Sequence, residues 1–462
     1  MIEILGILLS LVLLMCLAYR GIDVIILAPA LALLAVLLGG SAPVFATYTQ
    51  VFMTGLGKFV VDFFPVFLLG AIFGKLMEDS GSAKVIAHKI AGTLGKRHAV
   101  LAIVLSCGLL TYGGVSLFVV VFAVYPLAAA LFREADVPKR LIPATIALGS
   151  FTFTMTCLPG TVQIQNLIPM PYFKTTAFAA PALGILGGIL MFAGGTLWLN
   201  RRARAAARAG EGYGTGHKNE DSAEFEGPLP SFRVALAPIV AVIVLNYLFA
   251  EHVIARWDAS YLAEPKFGAT SLDRLRGIWA ILAALVLSNL LVAILNVRSF
   301  ARLNESLRKG AVGSLLPIFN TASVVGYGAT IASLSAFDSV KNWVLGIAPG
   351  SPLVSEAVAV TTLAGVTGSA SGGMRIALEA LGTTYYERGL AVGLDPELMH
   401  RIASMASGGL DTLPHNGAVI TLLLVCGLTH RQSYKDVAVV SLVIPVLATA
   451  VVLVLGTLFG SF

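Results

Sequence analysis

Asp411 and His415 are the side chains of this sequence best placed by type and setting to move a proton. They flank Thr412-Leu413-Pro414 inside an otherwise apolar stretch. A carboxylate at the centre of a membrane helix costs roughly 2.5–3.5 kcal/mol, so an ionisable pair there is functional by default. Histidine changes charge near neutral pH and a buried carboxyl can hold its proton toward that range, so either could carry a coupling proton. The competing use is an Asp–His pair that only caps helix ends. Pro414 interrupts the helix, so the four-residue spacing does not by itself put both groups on one face. A matching segment occurs earlier: Thr156-Cys157-Leu158-Pro159-Gly160 corresponds to Asp411-Thr412-Leu413-Pro414-His415, with the prolines 255 positions apart. Broken polar backbone in lipid is tolerated only where protein or a water-filled cavity covers it, so two such breaks point to a solute site.

The elements that must hold these segments are membrane helices. Of 462 residues, 57% are hydrophobic and 12% charged, and the mean hydropathy is +0.87. That is the composition of an all-α, polytopic membrane protein embedded in a lipid bilayer. The net charge of +6 lies in short loops between apolar runs, where it sets topology and implies no nucleic-acid partner. Cys16, Cys107, Cys157 and Cys426 all sit in apolar stretches, as reduced core residues do, and outline no metal site or cofactor framework. The first apolar run follows Met1-Ile2-Glu3 without a basic region or a small-residue cleavage site, so it reads as a retained span.

Self-similarity at one offset divides the chain into two repeats. Phe64-Pro65-Val66-Phe67 recurs 252 positions on as Leu316-Pro317-Ile318-Phe319, and Ile22–Leu38 aligns with Gly277–Ala293 at 255. The amphipathic stretch Ser82–Gly95 has Asp338–Ala348 in its place in the second half. The expected organisation is a first repeat over 1–199, a cytoplasmic linker over 200–233 and a second repeat over 234–462. Each repeat has five spans, a re-entrant hairpin (near 99–132 and 352–387) and a broken helix (141–170 and 398–428). Ala99–Leu110 is too short to cross about 30 Å of hydrocarbon, which marks it as a hairpin arm. An odd number of crossings inverts the second repeat. Placing Arg201, Arg202, Arg204 and Arg208 in the cytoplasm also puts Lys84, Lys89, Lys96, Arg133 and Arg140 inside and leaves Gly39–Gly57, which has no basic residue, outside. Ala255–Arg276, with four basic and three acidic residues, is external in this scheme and fits it least well.

Inverted repeats with discontinuous helices are the arrangement of secondary transporters, whose broken ends meet near the bilayer midplane. Helices restarting after Gly114 and Gly373 would aim free N–H groups and positive dipole ends at one point, suited to a carboxylate. Gly113, Gly114, Gly372 and Gly373 would let backbone approach a ligand. Thr111, Ser116, Gln163, Gln165, Asn166, Ser369, Ser371 and Asn416 add donors and acceptors for a hydroxylated anion, and Tyr112, Pro159, Gly160, Thr412 and His415 complete the candidate set. For any single member, the alternative is that it only satisfies broken backbone. Three other readings compete. Sodium could be coordinated by hairpin tips without any carboxylate. Ser371 with His415 could form an intramembrane hydrolase. A channel could also use broken helices, although an ionisable site in one half only suits coupled transport better.

Leu110-Thr111-Tyr112-Gly113-Gly114-Val115-Ser116-Leu117-Phe118, Leu158 to Asn166 and Ser407 to Ala418 resemble the gluconate permease (GntP) family, and more closely its hydroxybutyrate-permease-like branch, within the ion transporter superfamily. The likeness runs through nearly the whole chain. It implies a multi-pass protein of the bacterial inner membrane, a proton-coupled importer of small hydroxy-monocarboxylates such as 3-hydroxybutyrate or a sugar acid. It also implies a homodimer with scaffold domains and an elevator-like moving domain built from the hairpins and broken helices. Gluconate-type members carry Asn-Asp-Ser in the second broken helix where this chain has Leu413-Pro414-His415-Asn416, a departure that bears on whether gluconate itself is the substrate.

Overall fold

The computed structural model describes residues 2–19, 22–40, 42–115, 117–217, 229–297, 303–335, 337, 339, 346–348, 350–414 and 416–461. Among these all regular structure is helical, with no strand. Six helices are long and apolar enough to cross a membrane: Val44–Asp79, Pro181–Arg208, Phe232–Arg256, Leu272–Leu295, Leu303–Ser333 and His430–Phe459. Their outer faces carry exposed large apolar residues, such as Val61, Ile189, Ile294 and Leu447, which hydrocarbon can cover and water cannot without cost. Val44–Asp79 continues through Pro65 and absorbs a π turn at Thr47–Phe52. Ile2–Tyr19 and Val24–Gly39 pair with each other, and the second of them also packs on Leu315–Ser333.

The short elements lie between these spans. Ser82–Leu94 is amphipathic as expected, burying Ile86 and Ala87 while His88 and Lys89 stay exposed. It turns by 106° into the apolar helix that ends at Tyr112. That helix, Ala99–Tyr112, has 14 residues, and at 1.5 Å per residue is about 21 Å long, short of a full crossing. Leu117–Glu134 follows at once. Pro352–Thr367 and Ala370–Ala391 form a second pair, packed so closely that a Cβ at Gly373 would run into the backbone of Ala364. Most of the counterpart expected at Asp338–Ala348 lies outside the described residues.

Two broken segments complete the set. Ile142–Ser150 and Phe153–Thr156 are followed by irregular chain and then by Ile164–Leu167 and Met170–Phe173. Pro396–Ser407 likewise ends before Gly417–Val425 begins.

Charges buried inside the fold hold elements together. The Arg375 guanidinium is sandwiched by Phe59, Phe63 and Tyr172, with ring centroids 5.2–5.3 Å away, and reaches Asp62 at 3.5 Å and Glu379 at 3.4 Å. Lys58 pairs with Glu379 at 3.3 Å, so Asp62 and Lys58 join Val44–Asp79 to the second helix pair. Lys75 pairs with Glu78 and Asp79 on its own helix. At the polar end of the molecule, Arg140 binds Glu211 and Asp436, and Arg202 also binds Asp436. The hydrogen bond from Arg140 holds the Glu211 carboxyl below its usual range.

Candidate site at the chain breaks

All four interruptions of helix meet around one cavity of about 620 Å³. Gly114 and Leu117 reach it from the first helix pair, and Val162 to Gln165 from the first break. Thr367 to Ser371 come from the second pair, and Asp411 and Asn416 to Ala418 from the second break. The opposite wall is Leu315–Ser333, which contributes Asn320 and Thr321. The volume falls in the range of small-molecule sites.

Seven of the residues singled out in the sequence line this space: Gly114, Gln163, Gln165, Ser369, Ser371, Asp411 and Asn416. Asp411 is 4% exposed, and its Oδ1 has no hydrogen-bond partner among the described residues. Gln165 Oε1 is likewise unpartnered at the cavity wall. Asn416 and Ser369 are the N-caps of the helices that restart here; Asn416 Oδ1 accepts from Val419 N at 2.9 Å and Ser369 Oγ from Gly372 N at 3.1 Å. The second helix therefore restarts at Ala370, which puts Gly372 and Gly373 in its first turn and not before it. Their smallness serves packing, since a Cβ at Gly372 would sit 3.1 Å from Val324 and one at Gly373 would meet Ala364. Gly114, at φ +93°, turns the chain where its neighbours could not, and a Cβ there would lie 2.5 Å from Val162.

The remaining candidates stand behind the cavity and position it. Gln163 Nε2 donates to Thr111 O at 2.7 Å, and Tyr112 donates to Pro159 O at 2.7 Å, so the first tip is tied to the first break by two bonds. Asn416 Nδ2 does the same for the second tip, donating to Gly368 O and to Asp411 O, both at 2.9 Å. Gly160, at φ +78°, donates its N–H to Ala177 O and lies against the Phe178 ring. Gly113 faces Ile239. Thr412 bonds Ser441 and accepts from Tyr434. Ser116 and His415 lie outside the described residues.

Asn166 and a residue that sequence reasoning passed over form the centre of this framework. Arg401 is fully buried and donates to Ala179 O through Nε and Nη2, and to Thr156 O and Asn166 Oδ1 through Nη1. It clamps the two broken segments where they cross. Asn166 spends its amide on Thr161 O and Ala177 O, and His400 lies between Thr175 Oγ1 and Asn166 Oδ1. The signal that could have revealed Arg401 is the one used for Asp411, a charged residue within an apolar, proline-broken helix. Asn320 and Thr321 carried no such signal. Among the described residues, no group of His, Cys, Asp and Glu is arranged to hold a metal ion.

A helical protein of many spans, with paired helices and breaks converging on one cavity, has the build of a membrane permease. The chain belongs to the GntP permease family, whose model matches residues 2–318. It is 47% identical over 96% of its length to the uncharacterized transporter YxjC of Bacillus subtilis, with 96% of that protein covered. A 115-residue stretch, 24% of this chain and 25% of the relative, is 33% identical to the high-affinity gluconate transporter of Escherichia coli. The fold is similar to that of the Alcanivorax borkumensis YdaH transporter, with a TM-score of 0.56, 16% identity, and 88% of this chain and 89% of that one covered. The protein is thus a permease and not an enzyme, which sets aside the Ser371–His415 hydrolase.

Proposed function

We propose that this permease carries a small hydroxylated monocarboxylate across the bacterial inner membrane in symport with protons, as a homodimer. The observation that carries the reading is the cavity itself: hydroxyl and amide side chains and two capped helix N-termini surround one buried carboxylate, Asp411, whose Oδ1 is unpartnered. First-turn N–H groups of Ala370–Ala391 and Gly417–Val425 favour an anion, and Ser371, Gln163, Gln165 and Asn320 suit its hydroxyls. Substrate and a charged Asp411 would repel each other, so anion entry is favoured once Asp411 is protonated. That gives a direct physical link between proton and substrate. The 33% identity with a gluconate transporter supports a hydroxy acid, over a limited stretch.

The repeated order of elements supports division into repeats over 1–199 and 234–462, joined by a linker at 200–233. In each, long spans precede a helix pair, a broken segment and a terminal span. In this reading the pairs are re-entrant hairpins, the second repeat is inverted, and hairpins and broken helices move as an elevator against the long spans. Exchange of a panel of labelled acids in proteoliposomes tests the substrate class. Preference for hydroxy-monocarboxylates over their deoxy analogues and over amines is expected; equal handling of neutral or cationic solutes would contradict it.

A further inference from the structure

Glu356 is a buried carboxylate for which the cavity has no use. It lies on Pro352–Thr367, is 0% exposed, and neither Oε1 nor Oε2 has a hydrogen-bond partner among the described residues. Thr367, eleven positions on, reaches the cavity, and at 1.5 Å per residue Glu356 lies about 16 Å away along the helix, outside the wall of the substrate site.

Among the described residues, four elements pack closely against this helix, and none of the four supplies it with a cation. On Ala370–Ala391 the nearest titratable group is Tyr385, whose hydroxyl is 3.2 Å from Ser355 Oγ; Arg375 and Glu379 are engaged with Asp62 and Lys58, and Glu387 and Arg388 are exposed. On Pro396–Ser407, Glu397 accepts from Ala180 N, His400 bonds Thr175 and Asn166, and Arg401 is spent on carbonyl oxygens. On Ile2–Tyr19, Glu3 accepts from Ser335. Ile444–Phe459 has no titratable residue. An ionised carboxylate shut off from the surface, with no cation or donor among the described residues, is far costlier than a neutral acid. Packing alone would be served by Leu or Met at this position. An acid there gains something only if another conformation uncovers it.

From this we infer that Glu356 is a second proton-binding site, loaded in the conformation seen here and discharged when movement of the helix pair opens its surroundings to water. The inference rests on the proton-symport reading above. On discharge the O–H bond breaks, the electron pair stays on the carboxylate and the proton passes to water; reloading from the opposite side reverses the step.

The test counts protons moved per substrate by the full-length protein in proteoliposomes, with an internal pH dye and labelled substrate, for wild type, Asp411→Asn and Glu356→Gln. Glu356→Gln is expected to elute and melt like wild type, to transport, and to move fewer protons per substrate. Its accumulation at a fixed pH gradient should fall by roughly tenfold per pH unit for each proton lost. An unchanged proton count in Glu356→Gln, with protons moving in wild type, overturns the inference alone. No proton movement in wild type overturns the symport reading beneath it. If Glu356→Gln does not assemble, Glu356→Asp keeps an ionisable group with different reach and should shift the pH profile of transport; an unshifted profile counts against the inference.

Discussion

At the scale of single residues, the charges inside this protein divide into those that are fully satisfied and those that are not. Arg401 and Asn166 spend nearly every donor and acceptor on the crossing of the two broken segments, whereas Asp411 Oδ1 is left unpartnered at the cavity. Asp411→Asn is therefore expected to keep substrate exchange between equal pools, which needs no net proton flux, and to lose accumulation driven by a pH gradient. Comparison of exchange with driven uptake checks it, and driven accumulation by the variant would reduce Asp411 to a structural role. Arg401→Met strips several carbonyl oxygens of donors at once and should cost about 2–5 kcal/mol, at 1–3 kcal/mol for each buried group left unsatisfied. The expected readout is a lowered unfolding midpoint in detergent; an unchanged one would contradict the clamp. Asp411 was legible in the sequence because a carboxylate in an apolar run has no cheap explanation. Arg375, Arg401 and Glu356 send the same signal, but only the folded chain separates Arg401, bonded to carbonyls, from Glu356, bonded to nothing.

At the scale of elements, the glycines show where backbone pairs are forced together. Gly373 lies on the backbone of Ala364, so Gly373→Ala must pry the second helix pair apart and should destabilise it by roughly 1–3 kcal/mol, with transport falling in step. Gly417, by contrast, has open space where a Cβ would go, and Gly417→Ala should leave folding unaffected. Equal melting of the two variants would contradict this account of the packing. The polar end makes a pH-dependent prediction. Arg140 lowers the Glu211 carboxyl, so the contact stabilises above the unfolded value of about 4.3 and is lost as pH falls through the lower folded value. Glu211→Gln should flatten that acid limb of the melting profile; an identical limb in both proteins would exclude the contact as its source. The breaks at Pro159 and Pro414 and the short arm ending at Tyr112 were legible because proline, glycine and length carry local rules. The true restart at Ala370 was not, since the Ser369 cap outweighs the glycine pair that drew attention to Gly372 and Gly373.

At the scale of the whole molecule, one site forms from segments about 250 positions apart in the sequence. The two tips and two breaks come from corresponding stretches of sequence, and all four line one cavity. The far wall, with Asn320 and Thr321, was not legible, because nothing in the order of Leu315–Ser333 states which face meets the breaks. Topology is checked by single cysteines at three exposed positions: those at Ala209 and Gly216 should resist an impermeant external thiol reagent in intact cells, and one at Ala46 should react. Reversed labelling would overturn the orientation assigned from charge. The claim on which the rest depends is that a proton gradient does the work. Uptake of a labelled hydroxy-monocarboxylate into proteoliposomes, with proton and sodium gradients imposed separately, tests it directly. The account predicts accumulation with an inward proton gradient in sodium-free buffer and none with sodium at fixed, equal pH; accumulation with sodium alone would contradict it.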